Sequence, residues 1–366
     1  MSNYWKKRSS NEKRIGFYPE DKKTQARAPV KRDSRAGRWT PAFRKGILAL
    51  CTIIFLVSAG QLIRYYQNIN RAKVATSELR QIYAQNESGA ETEEPSQNPT
   101  ETPVPAETEL KQEEITAETT LEEDEPTTEL NLLPTAVRNL TFAENWPSQY
   151  ENNPQLRISD TFQQLRQQNK DVVGWLTIDG VLDEPVLQRD NAFYLTHDAT
   201  GAENATGALF LDENCNLRTL THNLLIHGHN MKEGAMFGSL KKYKVKDAEF
   251  YKAHPYITFN TLYEEAKYVI FAVAEVNIRS SEHYYVPFWL YLNFNDEDSF
   301  TTYLSKLKEF SHFQTQVDVR PGDRLLTLAT CSGTDTATRL LVAARKLRDQ
   351  EDTIALNQGI LSTQVK

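Results

Sequence analysis

Three side chains in this sequence could together make a nucleophilic site: a thiol at Cys331, a guanidinium at Arg339 and an imidazole at His229. Cys331 closes the apolar run Arg324-Leu-Leu-Thr-Leu-Ala-Thr-Cys331, and Arg339 opens a second apolar run, Arg339-Leu-Leu-Val-Ala-Ala-Arg345. Two adjacent antiparallel strands joined by the small polar turn between them would bring thiol and guanidinium to one end of a sheet. A thiol nucleophile also needs a base or acid within reach. His229 is the candidate, in the segment Leu224-Leu-Ile-His-Gly-His-Asn-Met231, which leaves a strand at His227 and Gly228 and enters a turn. His227 and His229 would share a face if the strand continued, which is half of a two-histidine metal site. No carboxylate or third histidine accompanies them at a recognisable spacing, and neither metal nor cofactor is expected. His197, His222, His254, His283 and His312 read as isolated surface or core residues. Cys215 sits in the loop-like Asp212-Glu-Asn-Cys-Asn and reads as having no special role, although a disulfide to Cys331 is open in an oxidising compartment.

The elements that must position these groups occupy only part of the 366 residues. Residues 1–45 are crowded with Lys and Arg and read as a basic, disordered cytoplasmic arm. An uncharged apolar run from Gly46 to Ile63 is close to the roughly 20 residues that cross a bilayer as a helix, and residues 46–66 are assigned as a transmembrane signal anchor. The basic flank precedes the run, so the positive-inside rule places the N-terminus in the cytoplasm and the rest of the chain outside. Residues 67–86 are rich in helix formers and read as a juxtamembrane helix, and residues 87–152, dominated by Glu, Thr, Pro and Ser, as an acidic disordered stalk. The net charge of −7 averages these two tails. The basic arm is explained as a topology signal, and no nucleic-acid partner follows from it.

Residues 153–366 are long enough for one packed domain. A helix is predicted from an N-cap at Ser159, and eight short β-like runs follow, at 172–178, 184–188, 207–211, 223–227, 256–259, 266–274, 324–330 and 339–344. A helical period with Phe300, Leu304, Leu307 and Phe310 on one face interrupts them before the cysteine run. Mostly β, in a sandwich or a barrel, is the class this pattern supports.

These residues resemble a known family. Thr327-Leu-Ala-Thr-Cys331 resembles the cysteine signature of sortases, Gly228-His-Asn-Met231 their histidine turn, and Arg339 lies where their third catalytic residue is expected. Val173-Gly-Trp-Leu-Thr-Ile-Asp-Gly180, Glu184-Pro-Val-Leu-Gln188, Gly207-Ala-Leu-Phe-Leu-Asp212 and the block from Met231 to Tyr243 look like successive blocks of class B sortases, as does the helical insert before the cysteine. The resemblance implies a closed eight-stranded β-barrel with N-terminal helices and a helix before the cysteine strand. It implies a cysteine transpeptidase in which Cys331 attacks the threonine carbonyl of a C-terminal sorting signal on a secreted protein, forming a thioacyl-enzyme. His229 would exchange protons with the departing and incoming amines, and Arg339 would stabilise the oxyanion, helped by backbone amides near Cys331. The acceptor would be an amine of peptidoglycan or, in a pilus-type enzyme, a pilin lysine; a catalytically silent extracellular barrel acting as adaptor or sensor is the non-enzyme alternative. Asn230, Thr330 and Ser332 are candidate substrate contacts, and Asn230 and Asp335 could orient His229 or Arg339. Ala329 replaces the serine that many class B enzymes carry, so one hydroxyl contact to the sorting signal is missing.

Overall fold

The computed structural model describes residues 40–90, 142, 146–231, 234–244, 248–332 and 337–366. The expectations for residues 1–39, for most of the acidic stretch and for Asp335 lie outside them. The chain divides into two compact units between Gly60 and Gln61. Helix α1 (Pro41–Ala90) carries the apolar run in the first unit, where its side chains are exposed. By length and composition it is the one helix among the described residues that is apolar enough to cross a membrane.

In the second unit, α1 turns a stripe of Ile69, Ala72, Ala75, Leu79 and Tyr83 into buried surface, the three-to-four spacing of one helix face. Tyr83 stacks on Trp175 with ring centroids 4.4 Å apart and 7° between planes, and its hydroxyl accepts a 2.7 Å bond from Asn260 Nδ2. Arg80 Nε lies 2.6 Å from Asp183 Oδ2. Within the stretch read as stalk, Phe142, Trp146 and Tyr150 are buried in the domain core. The packed unit therefore includes side chains on the N-terminal side of residue 153. Composition averaged over many Glu, Thr and Pro residues hid three aromatics that have core partners.

Eight strands close a barrel in the order β1-β2-β3-β4-β8-β9-β6-β5. They are β1 (Val172–Ile178), β2 (Leu182–Leu187), β3 (Leu209–Leu211), β4 (Asn223–His227), β5 (Tyr256–Thr261), β6 (Lys267–Asn277), β8 (Leu325–Cys331) and β9 (Thr338–Lys346). Each corresponds to one of the eight apolar runs, with ends shifted by a few residues. All neighbours are antiparallel except β2·β3 and β4·β8, which run parallel. Helix α2 (Asp160–Gln168) forms where Ser159 predicts it, but the Ser159 side chain makes no capping bond. Short helix α3 (Glu249–Ala253) leads into β5.

Helix α4 (Glu297–Glu309) is the predicted insert, capped by Asp296, whose carboxylate accepts from Ser299 N at 2.6 Å. Its buried face is Phe300, Tyr303, Leu304 and Leu307. The Tyr303 hydroxyl donates to Thr327 Oγ1 at 3.0 Å, and Thr327 in turn donates to Asn223 Oδ1 at 2.9 Å. That relay fastens α4 across the outer face of β8 and β4. After β9, helix α5 (Thr353–Leu361) leads to β10 (Gln364–Val365), which pairs with β7 (Phe313–Gln314). Two-residue strands have no period, and nothing in the sequence marks them.

Two measurements follow. Replacing Tyr83 by Ala should cost about 2–4 kcal/mol of unfolding free energy in denaturant titration, because a stacked, buried ring is removed; an unchanged midpoint would mean that α1 does not support the barrel. Burial pushes the Glu184 carboxyl up to about 7 even though Arg80 lies nearby. An acid raised above its unfolded value makes the folded state take up protons, so stability should fall as pH rises from about 4.5 to about 7. Glu184→Gln should flatten that part of the stability profile.

Candidate active site

The parallel pairing of β4 with β8 runs from Asn223 opposite Leu325 to His227 opposite Ala329. Because the strands point the same way, the turn leaving β4 and the end of β8 arrive at the same rim of the barrel. Three bonds then stitch the histidine turn to the cysteine. Gly228 N donates to Ala329 O at 3.3 Å, Thr330 Oγ1 donates to Gly228 O at 2.8 Å, and Asn230 Nδ2 donates to Cys331 O at 2.7 Å. On the other side, β9 runs antiparallel to β8 and sets Arg339 directly opposite Cys331. Both residues are half-buried at the rim, and Arg339 NH1 donates to Thr338 O at 3.3 Å.

His229 is oriented by a segment that the sequence does not flag. Its Nε2 lies 2.8 Å from Leu195 O, so an N–H there donates to that carbonyl and leaves Nδ1 as the other ring nitrogen. Gly207, at a left-handed φ of +64°, lines the ring: a Cβ there would sit 2.6 Å from Tyr194 O and 3.0 Å from His229 Cδ2. Only glycine satisfies both the backbone angle and this close approach.

The substrate-contact candidates take up internal work. Thr330 is buried on the opposite face from Cys331, with its hydroxyl given to Gly228 O, and Asn230 holds the Cys331 carbonyl. The Ser332 amide donates to Thr338 O at 3.0 Å, continuing the ladder instead of facing an oxyanion. The Ser332 hydroxyl bonds to Glu275, and Lys244 Nζ lies 3.0 Å from that hydroxyl and 2.7 Å from Glu275 Oε1. His312, read from sequence as isolated, has its Nε2 3.2 Å from Glu275 Oε2. Burial pushes the Glu275 carboxyl up, but hydrogen bonds from Lys244 and Ser332 and the charge of Lys244 outweigh it and hold the group below its ordinary range. This cluster ties the residue after the thiol to β6. A cavity of about 560 Å³ lined by Glu275, His283, Tyr284, Glu309, Phe310 and Thr338 lies beside it. A second, of about 720 Å³, lies by Asp323 and Arg324 at the opposite end of β8, away from the thiol.

All three cysteines are free. Cys215 is buried, accepts from Leu225 N at 3.4 Å, and has its thiol pushed up to about 12 by desolvation. Cys51 lies in the apolar part of α1. That leaves Cys331 as the half-exposed thiol of the barrel unit. His227 and His229 have different partners, His227 Nε2 lying 2.9 Å from Asp212 Oδ2. Among the described residues no group of three or more His, Cys, Asp or Glu is arranged to hold a metal.

The closed barrel thus presents a thiol opposite a guanidinium on the neighbouring strand, with the histidine turn hydrogen-bonded to the cysteine strand. The sortase-domain family model matches residues 179–347. Sortase B of Listeria monocytogenes is 38% identical over 176 residues, covering 48% of this chain and 68% of that protein. Sortase B of Staphylococcus aureus is 28% identical over 198 residues, covering 53% and 78%. Among solved structures, a sortase B from Bacillus anthracis is 30% identical over 59% of this chain and 95% of that one, with a TM-score of 0.47. The chain belongs to the sortase B family. It is accordingly a sortase B-type cysteine transpeptidase, an enzyme that anchors surface proteins.

Gly207→Ala tests the packing around His229. The added methyl should displace Leu195 or the ring, lowering kcat/KM about tenfold to a hundredfold while Cys331 remains open to a thiol reagent. Wild-type turnover would show that this contact does not set the imidazole.

Proposed function

We propose that Cys331 is the nucleophile, His229 the general acid and base, and Arg339 the oxyanion-stabilising group of a transpeptidase that joins secreted proteins to a cell-wall amine. The observation that carries this reading is the strand register: parallel β4·β8 and antiparallel β8·β9 deliver the histidine turn and Arg339 to the two sides of Cys331. In the first half-reaction the Cys331 thiolate adds to the carbonyl of a sorting-signal threonine. Arg339, a planar and permanently charged donor set, stabilises the resulting oxyanion. Protonated His229 gives its proton to the departing amine as the C–N bond breaks, leaving a thioester. In the second, an amine of peptidoglycan adds to the thioester, His229 takes the amine's proton, and the thiolate leaves. With the Ser332 amide given to Thr338 O, the guanidinium carries more of the oxyanion stabilisation than a backbone donor there would.

The basic N-terminal arm and the apolar part of α1 support an anchor with the N-terminus in the cytoplasm and the barrel outside the membrane. Protease added to intact cells should then degrade the barrel and spare an N-terminal fragment; protection of the barrel would reverse the orientation.

Steady-state transfer from sorting-signal peptides to an amine, using the full chain in detergent, tests the three roles. Cys331→Ala should abolish transfer, His229→Ala should lower kcat about 10²- to 10⁴-fold, and Arg339→Lys should lower it about 10²- to 10³-fold. Undiminished transfer by Cys331→Ala would end the proposal, and wild-type rates in either of the other variants would remove that residue from it.

A further inference from the structure

The carbonyl that orients His229 belongs to a loop that is itself fastened to α1. Leu195, whose O lies 2.8 Å from His229 Nε2, ends a short helical turn, Phe193–Leu195. The chain then loops out through 196–206 and returns at Gly207, which packs against the same imidazole. Backbone bonds close the base of this loop. Asn204 N donates to Thr196 O at 2.8 Å, Gly207 N to Asn204 O at 3.0 Å, and Ala208 N to Tyr194 O at 3.0 Å. Asn204 is thus bonded by its main chain to the residue after Leu195 and to the glycine beside the ring.

Its carboxamide is 2% exposed. Oδ1 accepts from Thr206 N at 3.0 Å, which holds the returning arm of the loop. Nδ2 donates to Asn68 O at 3.0 Å, a partner 136 positions away in the chain, and lies 3.4 Å from Asp198 Oδ2. A carbonyl inside a helix already accepts from the amide four residues on, so Asn204 uses the remaining lone pair of Asn68. Asp198 is 4% exposed, and its Oδ1 accepts from Thr200 N and Oγ1 at 3.0 and 2.7 Å. Ile69 and Ala72 are buried on the same stretch of α1. The apolar run ends at Ile63, five residues before Asn68, or about 7.5 Å of helix at 1.5 Å per residue. The loop that sets the imidazole is therefore tied to the part of α1 that leaves the apolar run.

We infer that Asn204 is a positioning residue for the transfer reaction: it couples this part of α1 to the Leu195 carbonyl, and through that carbonyl it fixes the tautomer and orientation of His229. A held carbonyl selects the ring with its proton on Nε2, whereas a loosened one lets the neutral ring exchange tautomers. Asn204→Asp separates the bond from the packing. It keeps the shape and the acceptor for Thr206 N but has no N–H for Asn68 O. This inference rests on His229 being the acid and base of transfer, and a spectroscopic readout that needs no turnover keeps the two claims apart.

The test uses the full chain in detergent, labelled with nitrogen-15 at histidine, with the His229 signals located by their loss in His229→Gln. At about pH 9, where an ordinary imidazole is neutral, the wild type should show the Nε2–H tautomer. Asn204→Asp and Asn204→Ala should show a mixture of tautomers. So should Ala72→Glu, which forces α1 from the barrel and reads the coupling from the helix side without altering the loop. In peptide-to-amine transfer, each variant should lose about tenfold in kcat with KM within about twofold. Combining Ala72→Glu with Asn204→Asp should be no slower than Ala72→Glu alone, because both remove one connection. A changed His229 spectrum with wild-type transfer would support the coupling and contradict the catalytic role of His229. A wild-type spectrum in Asn204→Asp would overturn the inference, whether or not Tm falls, and multiplied losses in the double variant would overturn the link through α1.

Discussion

The parallel ladder between β4 and β8 is the constraint on which the rest of the site depends. In a barrel built mainly from antiparallel neighbours, successive strand ends alternate between the two rims. A parallel pair breaks that alternation and brings two C-terminal ends to one rim, so the turn after His227 meets the end of the cysteine strand. A parallel connection also requires a long crossover, and here it contains β5, β6, β7 and α4. Register matters as much as direction. A slip of one residue would turn Cys331 to the opposite face and away from Arg339's side of the sheet.

The hydrogen bonds around the rim convert that topology into a fixed arrangement. Asn230 and Thr330 close the gap between the histidine turn and β8, and the Ser332 amide continues the ladder to β9. Each such bond contributes only about 1 kcal/mol net to stability. Their larger effect is geometric, because the residues before and after Cys331 are held from both sides. The Glu275 cluster performs the same service one strand further on, joining β6, Lys244 and His312 to the residue after the thiol. At the other end of β8, the Tyr303–Thr327–Asn223 relay keeps α4 against the sheet.

Much of this architecture was legible in the sequence, for definite reasons. The eight barrel strands are runs of branched and aromatic residues bounded by turn formers, and α4 shows a clear apolar period. Cys331, His229 and Arg339 stand in recognisable local patterns. The supporting residues do not, because their partners are remote in the chain. Leu195 meets His229 through a backbone carbonyl, which any residue type could supply. Gly207 matters through its backbone angle and the ring beside it, and His312 reaches Glu275 only because β6 ends near it. Trp146 and Tyr150 were absorbed into an acidic average, although each is buried. Asn230, Thr330 and Ser332 adjoin His229 and Cys331 in the sequence, but strand alternation and ladder bonding assign their polar groups to internal partners.

The central claim is that this register makes Cys331 the acyl-accepting atom. Its most direct test is to quench the full chain during turnover of a sorting-signal peptide and locate the covalent adduct by peptide mass mapping. The account predicts one acyl group, ending at the signal's threonine, on Cys331, with none on Cys215 or Cys51 and release of the group when an amine is added. An adduct on another residue, or turnover with no adduct on Cys331 under conditions that trap thioesters, would contradict it.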